Sequence, residues 1–126
     1  MENSPHQENV PQKLETGIDA ILEMNRQQVI ESIEKNGVEA SMELIGKWCD
    51  KAEKWAEEDP MNRIQVTRRM VIVNFAKYDF YISAKDTDGA LECADDALFM
   101  AEQEGHFDLK EKIEKRISDT SSKSEE

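Results

Sequence analysis

Apolar residues recur at helical spacing along most of the chain, in five successive segments. From about 13 to 35, Leu14, Ile18, Ile21, Leu22, Val29, Ile30 and Ile33 gather mostly on one face of a helix. Thr16 followed by Asp19 offers a capping-box start, and Lys35-Asn36-Gly37 a stop. From about 38 to 58, Met42, Ile45, Cys49, Ala52 and Ala56 form one stripe, with Leu44, Trp48 and Trp55 beside it. A helix with two apolar stripes touches two neighbours. Asp59 then reads as an N-cap with Pro60 at the first helical position, where a missing N–H costs nothing.

The third segment, 60 to 84, holds "MVIVNFAKYDFYI", the most apolar part of the chain. Its Val, Ile, Phe and Tyr content suits a buried strand as well as a buried helix. Length, and the absence of Gly or Pro from 61 to 88, decide for helix. The fourth segment, about 88 to 104, has Asp86 and Asp88 as caps and Gly105 as a stop. Ala90, Ala94, Ala97 and Ala101 lie three or four apart along it, flanked by Leu91 and Leu98. Such a row of small side chains predicts close packing on the third helix. The fifth, 108 to 118, opens on Asp108 and Glu111 and spaces Leu109, Ile113 and Ile117 four apart. Residues 1–12, polar and proline-marked, and 119–126, low-complexity and polar, read as disordered tails around a single domain, 13–118.

Asp50, Ala52, Ala56 and Glu57 recur at a constant offset as Asp95, Ala97, Ala101 and Glu102, each set following a long helical segment. Two helical hairpins of one plan plus a terminal helix would produce that recurrence. Residues 71 to 105 resemble a tetratricopeptide repeat: a helix ending in aromatics ("AKYDFYISA"), a short turn, then a helix with Ala90 and Ala97 seven apart. Pro60 also sits where that family tends to place proline. The chain departs from the family where Gly is usual in the first helix, offering Ala76, Lys77 or Tyr78, so no ligand-binding position carries over. The expected fold is all-α: two antiparallel helical hairpins and a C-terminal capping helix, arranged as a tetratricopeptide-like array or a five-helix bundle.

Composition narrows the function. With 126 residues, 38% of them hydrophobic, the chain can build one core. A net charge of −12 repels nucleic-acid phosphate and anionic lipid, so neither nucleic acid nor membrane is an expected partner. "MVIV" is too short to span a bilayer, "MENSPHQENV" lacks signal-peptide layout, and Cys49 and Cys93 read as reduced, buried thiols. A cytoplasmic location is expected.

Candidate chemistry is sparse. His6 lies in the tail and His106 follows a helix stop, neither in a cluster, and no phosphate loop or metal-spaced Cys/His pair occurs. "AKDTDGALECAD" resembles part of an EF-hand loop, with Asp86, Asp88, Gly89, Leu91 and Asp95 in register. Ala84 at the first ligand position and Asp95 at the last depart from that pattern, and caps plus a turn explain the same residues. No catalytic residue, cofactor or metal site is therefore expected.

Arg63, Arg68 and Arg69 concentrate positive charge near the start of the third helix, to be held by Glu57, Glu58 or Asp59 or to meet an acidic ligand. Thr67, Met70, Asn74, Lys77 and Tyr81 form that helix's least apolar stripe, as a core edge or a peptide-gripping face. The functional expectation is a non-enzymatic interaction module binding a peptide or helix of another protein, with Arg69, Asn74, Lys77 and Tyr81 as contact residues. An adaptor or a secretion or assembly chaperone fits that class, since small acidic helical proteins of this size resemble bacterial export chaperones. The alternatives are an acidic inhibitor that mimics nucleic acid and a small helical ligand carrier or enzyme. A homodimer would cover leftover apolar area as readily as a foreign chain.

Overall fold

The computed structural model describes Leu14 and residues 16–124. The expected N-terminal tail, 1–12, lies outside the described residues. Five helices follow one another: α1 (Ala20–Asn36), α2 (Val38–Ala56), α3 (Arg63–Ser83), α4 (Thr87–Gln103) and α5 (Phe107–Ser124). The fold is all-α, and the described residues contain no strand.

The helix starts follow the local chemistry closely, with two shifts. α1 begins at Ala20 rather than near 13, because the Asp19 carboxylate caps the amides of Ile21 and Leu22 at 3.0 and 3.3 Å. Gly17 just before it has φ +91°, a left-handed conformation that no helix continues through. Leu14 still reaches the core from this non-helical segment and is 1% exposed. α3 starts at Arg63, not Pro60: the Asn62 side chain, rather than Asp59, accepts from the Gln65 amide. Asp59 instead closes a turn, its carbonyl accepting from the Asn62 amide at 3.0 Å.

α3 ends without glycine. Lys85 takes φ +63°, and the Asp86 amide donates back to the Tyr81 carbonyl at 2.9 Å. α5 continues past 118, where a polar tail is expected, and runs to Ser124. A Lys115–Asp119 pair and the Thr120 hydroxyl, which donates to the Arg116 carbonyl, support the extra turns.

Each helix packs on its sequence neighbours, and α3 also meets α1 and α5. α2 and α4 do not pack against each other, nor do α1 and α5. Helices α1, α3 and α5 thus form one layer, with α2 and α4 on its other side and separated. A closed bundle would bring the first and last helices together; here the layers stay open, an arrangement compatible with a helical repeat.

Three contacts hold α3 at the centre. The most extensive joins it to α4, where Ala90, Ala94, Ala97 and Ala101 are each 0% exposed. Small side chains let the two backbones approach. On α2, Trp48 is buried, donates its indole N–H to the Leu22 carbonyl at 3.0 Å and meets Phe80 edge-on at 5.1 Å. One side chain therefore ties α1, α2 and α3 together.

The third contact is ionic. Asp79 accepts from Arg26 of α1 at 2.8 Å and from Arg116 of α5 at 2.9 Å. Arg26 is 0% exposed and also bonds Glu23 through Nε and Nη2. Glu23 in turn accepts from the Leu14 amide at 3.2 Å, anchoring the segment before α1. Arg116 lies over the Phe75 ring at 5.3 Å. Burial pushes the Asp79 carboxyl up, while Arg116 and Arg26 pull it back and Glu23 adds to the rise.

Two stability changes follow from this packing. Ala94→Leu overpacks the α3–α4 seam and is expected to cost ~1–3 kcal/mol in urea unfolding, with wild-type stability excluding a tight seam. Asp79→Ala removes the acceptor shared by Arg26 and Arg116, leaving Arg26 on Glu23 and Arg116 over the Phe75 ring. It should cost ~3–5 kcal/mol, against about 0.5 kcal/mol or less for the exposed control Glu92→Ala.

Candidate functional site

Because α2 and α4 stand apart, one side of α3 is open between them. A groove of about 340 Å³ lies on that side along α2 and α3, lined by Ile33, Val38, Met42, Ile45, Cys49, Lys77, Phe80, Tyr81 and Ala84. Helical spacing explains the lining: Val38, Met42, Ile45 and Cys49 fall on one face of α2, and Lys77, Phe80, Tyr81 and Ala84 on one face of α3. Met42 keeps 59% of its surface exposed and Tyr81 39%, so the groove presents apolar area to solvent.

Gly89 brings α4 to its edge. A Cβ there would lie 2.6 Å from Tyr81 Cδ1, so the ring rests where only glycine leaves room. The Asp86 carboxylate caps the Gly89 amide at 3.0 Å. The EF-hand-like stretch is accordingly a helix cap followed by the first turns of α4. Among the described residues no group of His, Cys, Asp or Glu is arranged to hold a metal ion.

Lys77 sits half-buried on the groove floor, close enough to both thiols to pull their pKa values down. Burial is the larger effect and pushes Cys49 and Cys93 up from 9.0, with Glu53 and Asp50 adding to it at Cys49 and Asp96 and Glu92 at Cys93. Both sulfurs are free, half-buried thiols, protonated at neutral pH and therefore poor nucleophiles. Cys93, burial, Asp86, Cys49 and Glu92 raise the Tyr81 phenol, which stays a neutral hydrogen-bonding group.

The four expected contact residues do not share one environment. Lys77 and Tyr81 line the groove. Asn74, one turn before Lys77 along the same stripe of α3, is half-buried. Arg69 is withdrawn from it: Nη1 donates to the Trp55 carbonyl at 2.6 Å and to Glu58 at 2.8 Å, and its guanidinium lies 4.5 Å from the Trp55 ring centre. It pins the end of α2 to α3. The other two arginines are held as well, Arg63 by Glu104 and Arg68 by Asp108 in a two-bonded pair. Glu58 was an expected holder; the partners from beyond α4 were beyond local reading.

Sequence reasoning placed Met42, Ile45 and Cys49 in a core stripe and did not single out Val38 or the Glu23–Arg26–Asp79–Arg116 network. A signal for the network was present. Asp79 stands between Tyr78 and Phe80 in the most apolar segment, where a charge demands a partner.

The chain matches no family model, no curated protein and no solved structure. Among the described residues no helix is long and apolar enough to cross a membrane.

His106 is structural in its surroundings. It is 6% exposed, in the turn between α4 and α5, with Nε2 2.9 Å from the Thr67 hydroxyl. Burial and then Arg68 lower its pKa from 6.5, opposed by Asp108 and Glu104. The unfolded chain therefore takes up a proton that the folded chain resists, so stability falls as pH drops below about 6.5. Urea midpoints should decline between about pH 7 and 5, less steeply in His106→Gln. Asp108, held at about 2 by its bond from Arg68, adds a separate loss only as pH falls below 3.8.

Proposed function

We propose that this chain is a non-enzymatic protein-interaction module that seats an apolar helix face of another protein in the groove along α2 and α3, with α4 at its edge. The observation that carries the reading is the exposure of Val38, Met42 and Tyr81 around a trough floored by Ile45 and Phe80. Apolar anchors entering such a trough release water, and Lys77, Asn74 and the Tyr81 hydroxyl supply polar contacts that orient them. The layering of α1, α3 and α5 against α2 and α4 supports a tetratricopeptide-like plan. On that plan the chain works as an adaptor or an assembly chaperone, holding a partner segment without altering it chemically.

Selection of helical peptides from a displayed library on the purified chain tests the reading. Selected peptides should carry apolar residues at i, i+3 or i+4, and i+7, and should lose at least about tenfold in affinity for Met42→Asp. Met42 is 59% exposed, so that variant should keep the wild-type circular dichroism and melting temperature. Peptides that bind wild type and variant alike would place the interaction elsewhere.

A further inference from the structure

The two banks of the groove are acidic. Asp50 and Glu53 act on Cys49 from the α2 side. On the α4 side Gly89 lies against Tyr81 at the groove's edge, and Glu92 and Asp96 follow it at i+3 and i+7 along the same face, with Asp86 capping that end. All five acidic residues are exposed. Among the described residues, no salt bridge engages any of them. Six cations of the chain are paired with other carboxylates: Arg69 with Glu58, Arg63 with Glu104, Arg68 with Asp108, Lys110 with Glu102, Lys47 with Glu43 and Lys115 with Asp119. Acidic surface is common on a chain of net charge −12. Paired banks of carboxylates along both sides of an exposed apolar trough are a more specific arrangement.

From this complementarity we infer that the groove's occupant is a cationic amphipathic helix, with one apolar face and Lys or Arg on both flanks. The inference rests on the groove reading and adds the partner's charge. Apolar side chains enter between Met42 and Tyr81, while flanking cations meet Asp50 and Glu53 on one bank and Glu92 and Asp96 on the other. Lys77 lies on the floor rather than on a bank, so it opposes the apolar stripe of the incoming helix, not its charged edges. From Lys77 to Ala84 the α3 side of the groove spans about 10 Å, the length of about two helical turns. Charged flanks of this kind chiefly set encounter rate and partner choice, and their effect weakens as salt screens them.

The test uses the full chain and two synthetic helical peptides that share one leucine-rich face and carry either lysines or glutamates on both flanks. Calorimetry at low and physiological salt should show the lysine peptide binding at least about tenfold tighter, with the gap narrowing as salt rises. Met42→Asp should abolish that binding. A combined Asp50→Asn, Glu53→Gln, Glu92→Gln, Asp96→Asn variant should keep the fold and lose most of the lysine preference. If both peptides bind equally and both are lost in Met42→Asp, the charge inference fails and the groove reading stands. If lysine-peptide binding ignores Met42→Asp, the charge is acting away from the groove and the inference fails. If neither peptide binds, or if sedimentation shows a self-associated chain that Met42→Asp dissociates, the groove reading itself fails.

Discussion

A carboxylate inside a helix surrounded by four others needs cations from elsewhere in the chain, and Asp79 obtains them from both directions. Arg26 comes from 53 positions upstream and Arg116 from 37 downstream. Neither α1 nor α5 packs on the other, so these two guanidiniums bridge a gap that apolar packing leaves open. Buried ion networks contribute little net stability compared with well-packed apolar side chains, but they tolerate only one register. Sliding α1 by a turn along α3 would take Arg26 off Asp79, and sliding α5 would take Arg116 off it, so each slip loses one of the two ion pairs across the layer. The layer formed by α1, α3 and α5 is set by that requirement.

The other side of α3 obeys a different rule. α4 comes close because its contact face is alanine, and α2 is held by Trp48 and by Arg69 against Trp55. Both helices are committed to α3 and none of their contacts draws them toward each other. The space between them is therefore a consequence of how each is anchored. Its lining is apolar because Val38, Met42, Ile45 and Cys49 continue the face of α2 beyond what α3 covers. Its banks are acidic through Asp50, Glu53, Glu92 and Asp96, while the arginines near the start of α3 are directed to Glu58, Glu104 and Asp108. One face of the central helix is thus closed by charge and the other left open between carboxylates.

Much of the fold was legible in the residues. Five helical segments, their order and most of their ends follow from apolar spacing, from Asp86 as a cap and from Gly37 and Gly105 as stops. The alanine row announced its own burial, since four small side chains on one face of a helix serve little purpose in solvent. Less legible were the ends where several capping residues compete. Asp59 and Asn62 can both cap, and only the path of the turn selects Asn62. Thr67, Met70, Asn74, Lys77 and Tyr81 stand out in the sequence as the least apolar stripe of α3. Arg69 beside it is not separable by local pattern, because its partners Trp55 and Glu58 come from the end of α2 and the turn after it.

Local chemistry thus determined what can be read within one turn of helix: propensity, caps, stops and which faces seek burial. Those depend on neighbours within about four residues, and the chain states them directly. Tertiary structure alone decided which apolar faces find a partner and which do not. Cys49 of α2 and Ala94 of α4 both looked like core from spacing, yet one lines an open trough and the other is sealed. The pairing of Asp79 with Arg26 and Arg116 was settled at the same level. Burial and ion pairing depend on residues brought from tens of positions away, and no local pattern records where those will arrive.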